Sequence, residues 1–511
     1  MMYGEEKSDS LIVAANLANN PQGAESVERR SGAKGNAEQP HMRRTQSRES
    51  MSQRLSRVRE AAKQRKKERF TALFHLLTAE ALENAFLSLS RKVAAGVDGV
   101  RWKDYAENLK VNIADLHRRL HQGSYRAQPG RRHYIPKADG KQRPLGIASL
   151  EDKIVQYALV KILNAVYEND FMGFSYGFRP GRSQHNALDA LATGLVRTNV
   201  NWVLDADISQ FFDKVSHEWL IRFIEHRIGD QRVIRLIRKW LTAGTSEEGE
   251  WRASEEGEWR ASEEGEWRAS EEGTPQGAVI SPLLANIYLH YVFDLWAHQW
   301  RRRHATGNVV MVRYADDIVI GFDKRIDAQC FRIAMQRRLK EFGLTVHPKK
   351  TRLTEFGRFA AENRASRGKG KPETFNFLGF THISGKDRSG RFMLIRKTRR
   401  DRMTATLKAI KDGLRKRWHY SIHEQGKWLR RVVQGYLNYH SVPGNYPMMR
   451  KFRIYVTDLW RRALRRRSQQ DDTTWTKANR LAAVWLPKVR VLHPWPVERF
   501  TARHPRQEPG A

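Results

Sequence analysis

An α+β chain is what the sequence predicts, on three observations. Two apolar runs at 309–322 meet at adjacent acids, a third run at 202–208 also ends in acids, and stretches of helical period flank them on both sides. Val309, Val310, Met311 and Val312 read as a strand buried on both faces, with Ile318, Val319, Ile320 and Phe322 as its partner. Asp316 and Asp317 stand between them. Carboxylates held together against apolar surface repel one another and resist ionising, so a cation is expected there. An Asp-rich hairpin turn is the plainer alternative, although Asn-Gly and Asp-Gly, the usual residues of such turns, are missing. The run WVLDADI, 202–208, adds Asp207 as a third carboxylate. Hard divalent ions take carboxylate oxygens from a rigid sheet, and these three would supply them.

YADD at Tyr314–Asp317, with ADISQFFD upstream, resembles a reverse transcriptase. The surrounding blocks resemble the bacterial group II intron reverse transcriptase and maturase family: IPKADGKQRPLGI at 135–147, SYGFRPGRSQHNAL at 175–188, GTPQGAVISPLLANIYL at 273–289, FNFLGF at 375–380 and GYLNYH at 435–440. Their order and spacing cover the chain from about Phe70 to about Phe500.

The resemblance implies a right-hand polymerase, with fingers, an antiparallel palm, a helical thumb and a C-terminal maturase domain. It implies DNA synthesis on an RNA template, with Asp207, Asp316 and Asp317 as catalytic ligands of Mg2+, and binding of the group II intron RNA to assist splicing and retrohoming. Deoxynucleoside triphosphates, a primer and a target DNA are the further partners. The domains expected are a disordered basic tail over 1–60, an N-terminal extension and fingers over 61–200, a palm over 201–385, a thumb and RNA-binding maturase domain over 386–480, and a C-terminal tail over 481–511. Two alternatives stay open: an RNA-binding splicing factor whose polymerase is inactive, and a domesticated reverse transcriptase in defence or diversity generation.

Composition points the same way. The 92 Lys and Arg exceed the 56 Asp and Glu, for a formal net charge of +36. Such an excess favours a polyanionic partner, because each phosphate neutralised releases condensed counterions. No apolar run approaches the length of a membrane span, and no hydrophobic signal core opens the chain, so a cytoplasmic location without membrane association is expected. Cys330 is the single cysteine, which rules out an internal disulfide and a cysteine-based zinc cluster. It is expected to pack in a helix as a small apolar group.

Taken in order, residues 1 to about 60 are polar and without sustained apolar period. FTALFHLL at 70–77 and ALENAFLSL at 81–89 have helical spacing, and AAGVDGV at 94–100 marks a turn. Residues 131–147 read as a β-hairpin turning at Asp139-Gly140, with Lys137 and Arg143 across from one another. That pair would clamp a triphosphate, or be ordinary surface cations; the resemblance places nucleotide contacts at both. A helix over 150–170 buries a stripe through Ile154, Ala158, Leu159, Ile162 and Val166. Another begins near Ser183, and Arg179 and Arg182 before it either touch template phosphate or cap a loop.

After Asp207, Phe211 reads as core. The resemblance puts Phe212 beneath the nucleotide sugar, where a ring would exclude a 2′-hydroxyl. SEEGEWRA repeats three times from 246 to 269 and ends in SEEG at 270–273. This octad is too short and acidic for a solenoid and reads as an in-frame expansion of a surface hairpin. Gln276 and Gly277 are placed at the start of a buried helix, close to nucleotide and template. A helix near 325–342 leads to Lys350, which would protonate departing pyrophosphate or form a surface ion pair. Phe377 and Phe380 read as packing. From Arg391 to Arg430 there are 13 Lys and Arg against 3 Asp and Glu, on segments of helical spacing. A basic helical face with Trp418, Trp428 and GYLNYH suits structured RNA. No CxxC or paired-His cluster follows, so an added nuclease domain is not expected.

Overall fold

The acids sit at one end of a four-stranded antiparallel sheet. The computed structural model describes residues 50–136, 142–247, 251–253, 259–261, 266–268, 272–467 and 473–503. In chain order the strands are β1 (Gly130–Pro136), β2 (Gln142–Ile147), β3 (Trp202–Asp207), β4 (Thr245–Glu247), β5 (Trp251–Ala253), β6 (Trp259–Ala261), β7 (Glu266–Arg268), β8 (Val309–Tyr314), β9 (Asp317–Phe322), β10 (Arg352–Glu355), β11 (Thr374–Phe377), β12 (Phe380–Lys386) and β13 (Phe392–Thr398). The acid-bearing sheet has the order β10-β3-β9-β8. Its apolar residues are buried as their pattern predicts, Val309 to Val312 on β8 and Ile318 to Phe322 on β9. Helix Gln184–Arg197 covers β8 and helix Arg325–Glu341 covers β3. The first approaches so closely that a Cβ on Gly194 would stand 2.5 Å from Val310 Cγ1. With helices gathered around antiparallel sheets, the fold is α+β.

β1 and β2 make the expected hairpin, to which β4 adds in parallel and β7 follows, in the order β2-β1-β4-β7. β11, β12 and β13 form a third, three-stranded sheet. Two apolar cores result. The larger runs from Ala62 to Leu394 and includes Phe500; the smaller gathers Met403 to Leu486 from helices Arg400–Arg415, Ile422–His440, Tyr446–Arg465 and Trp475–Trp485. Helix Leu150–Tyr167 is buried nearly all round, beyond the stripe expected of it. Among the described residues no helix is long and apolar enough to cross a membrane.

Several local expectations are corrected. Residues Met51–Gln64 form a helix closed by a Ser50–Gln53 capping box, inside the segment read as tail; residues 1–49 lie outside the described residues. FTALFHLL makes only a 3-10 turn at Phe74–Leu76, because the buried Asp230 carboxylate accepts the Leu73 and Phe74 N–H groups and fixes the chain there. In the hairpin Arg143 pairs with Ile135, not with Lys137. Lys137 and the Asp139-Gly140 turn lie outside the described residues. The helix after Gln276 starts only at Ser281, so Gln276 and Gly277 belong to the preceding loop. Residues Phe392–Thr398 are a strand rather than helix. Cys330 is on the expected helix but exposed. The chain beyond 480 continues through helix Trp475–Trp485 and a last helix, Pro496–Arg503.

Candidate active site

Pairing decides which carboxylates meet. β3 and β9 run antiparallel with Asp207 directly opposite Asp317, and β8 and β9 are joined by the two-residue turn Ala315-Asp316. Directly opposed residues have Cα atoms about 5 Å apart, so Asp207, Asp316 and Asp317, separated by over a hundred residues of chain, converge at one sheet end. Asp205 is a fourth acid that motif reading passed over. It lies two residues before Asp207, hence on the same face of β3, and that period-two spacing was the signal available.

The electrostatics bear the marks of crowding. Loss of hydration, then repulsion from Asp316 and Asp207, pushes the Asp317 carboxyl up to about 7. The residue is nonetheless exposed, so the acid lies at the surface of the sheet end rather than in a sealed core. Burial, with repulsion from Asp317 and Asp207, likewise raises Asp205 to about 7. Lys350 Nζ donates to Asp207 Oδ2 at 2.9 Å. This is the ion-pair alternative for Lys350, and it puts a cation on the cluster. Arg399 and Arg352 add positive charge from farther away.

Oxygen donors alone, crowded enough to raise their own proton affinity, fit a hard divalent cation. Among the described residues no three His, Cys, Asp or Glu side chains already stand in a metal-holding arrangement. Lys350 occupies one Asp207 oxygen.

The remaining predicted residues fall on two sides of this centre. Phe211 is buried, whereas Phe212 is half-buried and stacks edge-on against it at 5.4 Å. The loop carrying Gln276 closes on this turn: Gln276 Nε2 donates to Asp213 Oδ1 at 2.9 Å, and Thr274 N donates to Phe212 O at 2.7 Å. The Gln276 carbonyl accepts from Gly146 N at 2.7 Å, tying the loop to β2. Arg179 and Arg182 resolve as loop-holding residues. Arg179 is buried, pairs with Glu168 and donates to Met172 O and Ser175 O; Arg182 donates to Gly173 O and Ser175 O. Phe377 and Phe380 are buried packing residues.

Comparison with known proteins agrees with this geometry. Residues 135–382 match the family described as reverse transcriptase (RNA-dependent DNA polymerase), whose members generally use divalent metal ions. The chain is 39% identical over 222 residues to protein YkfC of Escherichia coli, covering 42% of this chain and 54% of that one. It is 35% identical over 239 residues to the group II intron-encoded protein LtrA of Lactococcus lactis, covering 46% and 37%. It is 32% identical over 91 residues to nuclear intron maturase 2 of Arabidopsis thaliana, covering 18% and 12%. The chain thus spans about half or less of the length of these curated relatives. The matched segment contains all four acids: residues 135–382 are similar to reverse transcriptases, and the relatives of the chain include intron-encoded and maturase proteins.

Proposed function

We propose that the protein is an RNA-directed DNA polymerase of a group II intron, working in the cytoplasm, that also binds its intron RNA to assist splicing and retrohoming. The observation that carries this reading is the register that sets Asp207 against Asp317, with Asp316 in the adjoining turn. In this reading the β10-β3-β9-β8 sheet is the palm, the β1-β2 hairpin belongs to the fingers, and the second core is the thumb and maturase region.

Asp207, Asp316 and Asp317 would hold two Mg2+ ions, whose chemistry when bound would be activation of the primer 3′-hydroxyl and neutralisation of the departing pyrophosphate. The chain's own residues do the rest. Phe212 presents a ring where a ribose 2′-hydroxyl would sit, and so admits deoxynucleoside triphosphates. Gln276, held between β2 and the Phe212 turn, fixes the floor for the templating pair. Lys137 and Arg143 would contact the triphosphate as cations. Lys350, once displaced from Asp207, stands beside the leaving group as a proton donor. Basic helices such as Arg400–Arg415 take phosphates of the intron RNA, and the primer and target DNA enter on the same positive surface. The names of the intron-encoded and maturase relatives support the RNA partner.

Primer extension on poly(rA) with oligo(dT) tests the proposal. Asp316→Ala should reduce extension at least about 1,000-fold while intron RNA binding stays within about twofold. Extension surviving in Asp316→Ala would refute the ligand assignment. An inactive wild-type protein that still promotes splicing would favour an RNA-binding splicing factor.

A further inference from the structure

Arg313 interrupts an otherwise apolar strand one residue before the YADD motif, and it is wholly buried. Its guanidinium uses all five N–H donors. Nε and Nη2 grip the two oxygens of Asp294 at 2.7 and 2.6 Å, Nη2 also donates to Ser175 Oγ at 2.7 Å, and Nη1 donates to Asn286 Oδ1 at 3.1 Å and to Ala315 O at 3.0 Å. Ala315 is the first residue of the turn that carries Asp316 and leads into Asp317, and its φ is +55°. That left-handed backbone disfavours a residue with a Cβ and persists only where surroundings hold it.

Those surroundings are specific. Asp294 is fully buried and ends a π-helical turn, His290–Asp294, an irregularity that sets where its carboxylate points. Asn286 passes the grip onward, its Nδ2 donating to Gly177 O at 2.7 Å. Gly177 lies so close to the turn that a Cβ there would stand 2.3 Å from Ala315 N. The segment 174–176 is sewn along β8 by Arg313 N to Phe174 O and Tyr176 N to Arg313 O, both 2.8 Å. The turn is thus held by a buried charge pair from below and by backbone from the side. For stability alone, an apolar pair of similar volume would serve a core as well as a buried Arg–Asp pair. Apolar side chains could not hold a carbonyl.

We propose that Arg313, oriented by Asp294 and Asn286, is a positioning residue that fixes the Ala315-Asp316 turn and so the aim of Asp316 and Asp317. This rests on the polymerase reading for its kinetic consequence, though not for its structural one.

The test compares R313K, the paired variant R313M/D294L and the rescue variant R313K/A315G. Lysine keeps the charge but cannot reach Asp294 and Ala315 O together; the paired variant removes both charges at once. Both should fold, by circular dichroism, with nucleotide KM within about twofold and kcat lowered about 100-fold, the cost of a roughly 1 Å misplacement. A315G should recover about tenfold of the loss, because glycine adopts the positive φ unaided. Amide hydrogen exchange over 314–318, read without metal or nucleic acid, should accelerate about tenfold in R313K. Wild-type kcat in either charge variant, no rescue by A315G, or unchanged exchange would each overturn the assignment. An inactive wild-type protein would sink the polymerase reading and leave the exchange comparison to decide this one.

Discussion

Asp205 and Asp317 titrate near pH 7 in the folded chain, against about 4 for an ordinary carboxylate. Between those values the folded state binds more protons than the unfolded one, so stability without metal falls as pH rises from about 4 to about 7 and then levels. A divalent cation offsets the same repulsion. The rise in melting temperature on adding Mg2+ should therefore be small at about pH 5.5 and reach a plateau above about pH 7.5, as scanning fluorimetry can record against Asp317→Asn. An increment independent of pH would argue that the cation binds elsewhere. At this scale the three acids were legible because carboxylates seldom end apolar strands without reason. Arg313 was not singled out, although a lone cation inside VVMVRY demands a buried partner. Asp294 was hidden, since its role depends on where a π-helical turn directs it, and Asn286, on the helix before that turn, because nothing in its local sequence names its partner.

Among elements, the octad insertion shows how pattern and register interact. β4 pairs with β7 so that Thr245, Ser246 and Glu247 face Arg268, Trp267 and Glu266, while β5 pairs with β6 inside them. The insertion is a hairpin nested in a hairpin. Deleting residues 254–269, two whole octads, brings Glu250, Trp251 and Arg252 into the places of Glu266, Trp267 and Arg268, with Glu248-Gly249 as a two-residue turn. Its far end is anchored independently, by the Ser216–Glu272 bridge, the Lys214–Glu272 ion pair and His217 Nε2 on Gly273 O at 2.7 Å. We expect the shortened protein to melt within about 2 °C of the parent and to extend primers within about twofold. A deletion of eleven residues, which breaks the period, should do worse in both assays. That the octads can pair as antiparallel strands was readable from their even length. Its nesting was not, because identical octads offer many registers and only the fixed ends choose among them.

Over the whole molecule, charge points to a polyanionic partner, and two cores follow from where apolar period resumes after residue 400. The path of the last segment could not be foretold. Helix Pro496–Arg503 crosses back to helix Gln184–Arg197, where Arg499 pairs with the buried Asp189 across 310 residues and Phe500 enters the first core. Arg499→Ala removes the two-pronged guanidinium grip on Asp189, with Arg396 standing off at 3.7 Å, and should cost about 2–3 kcal/mol in urea denaturation. A change under about 0.5 kcal/mol would show the pair to be incidental. Just ahead of that helix, Leu492 N and His493 N donate to Ser441 O, and the His493 ring stacks on His185 at 4.0 Å. Between His493 and Pro496 stand only Pro494 and Trp495, three Cα–Cα steps or about 10 Å at full stretch. The helical unit is therefore on a short leash, and any displacement longer than that span must first unfasten its own far end.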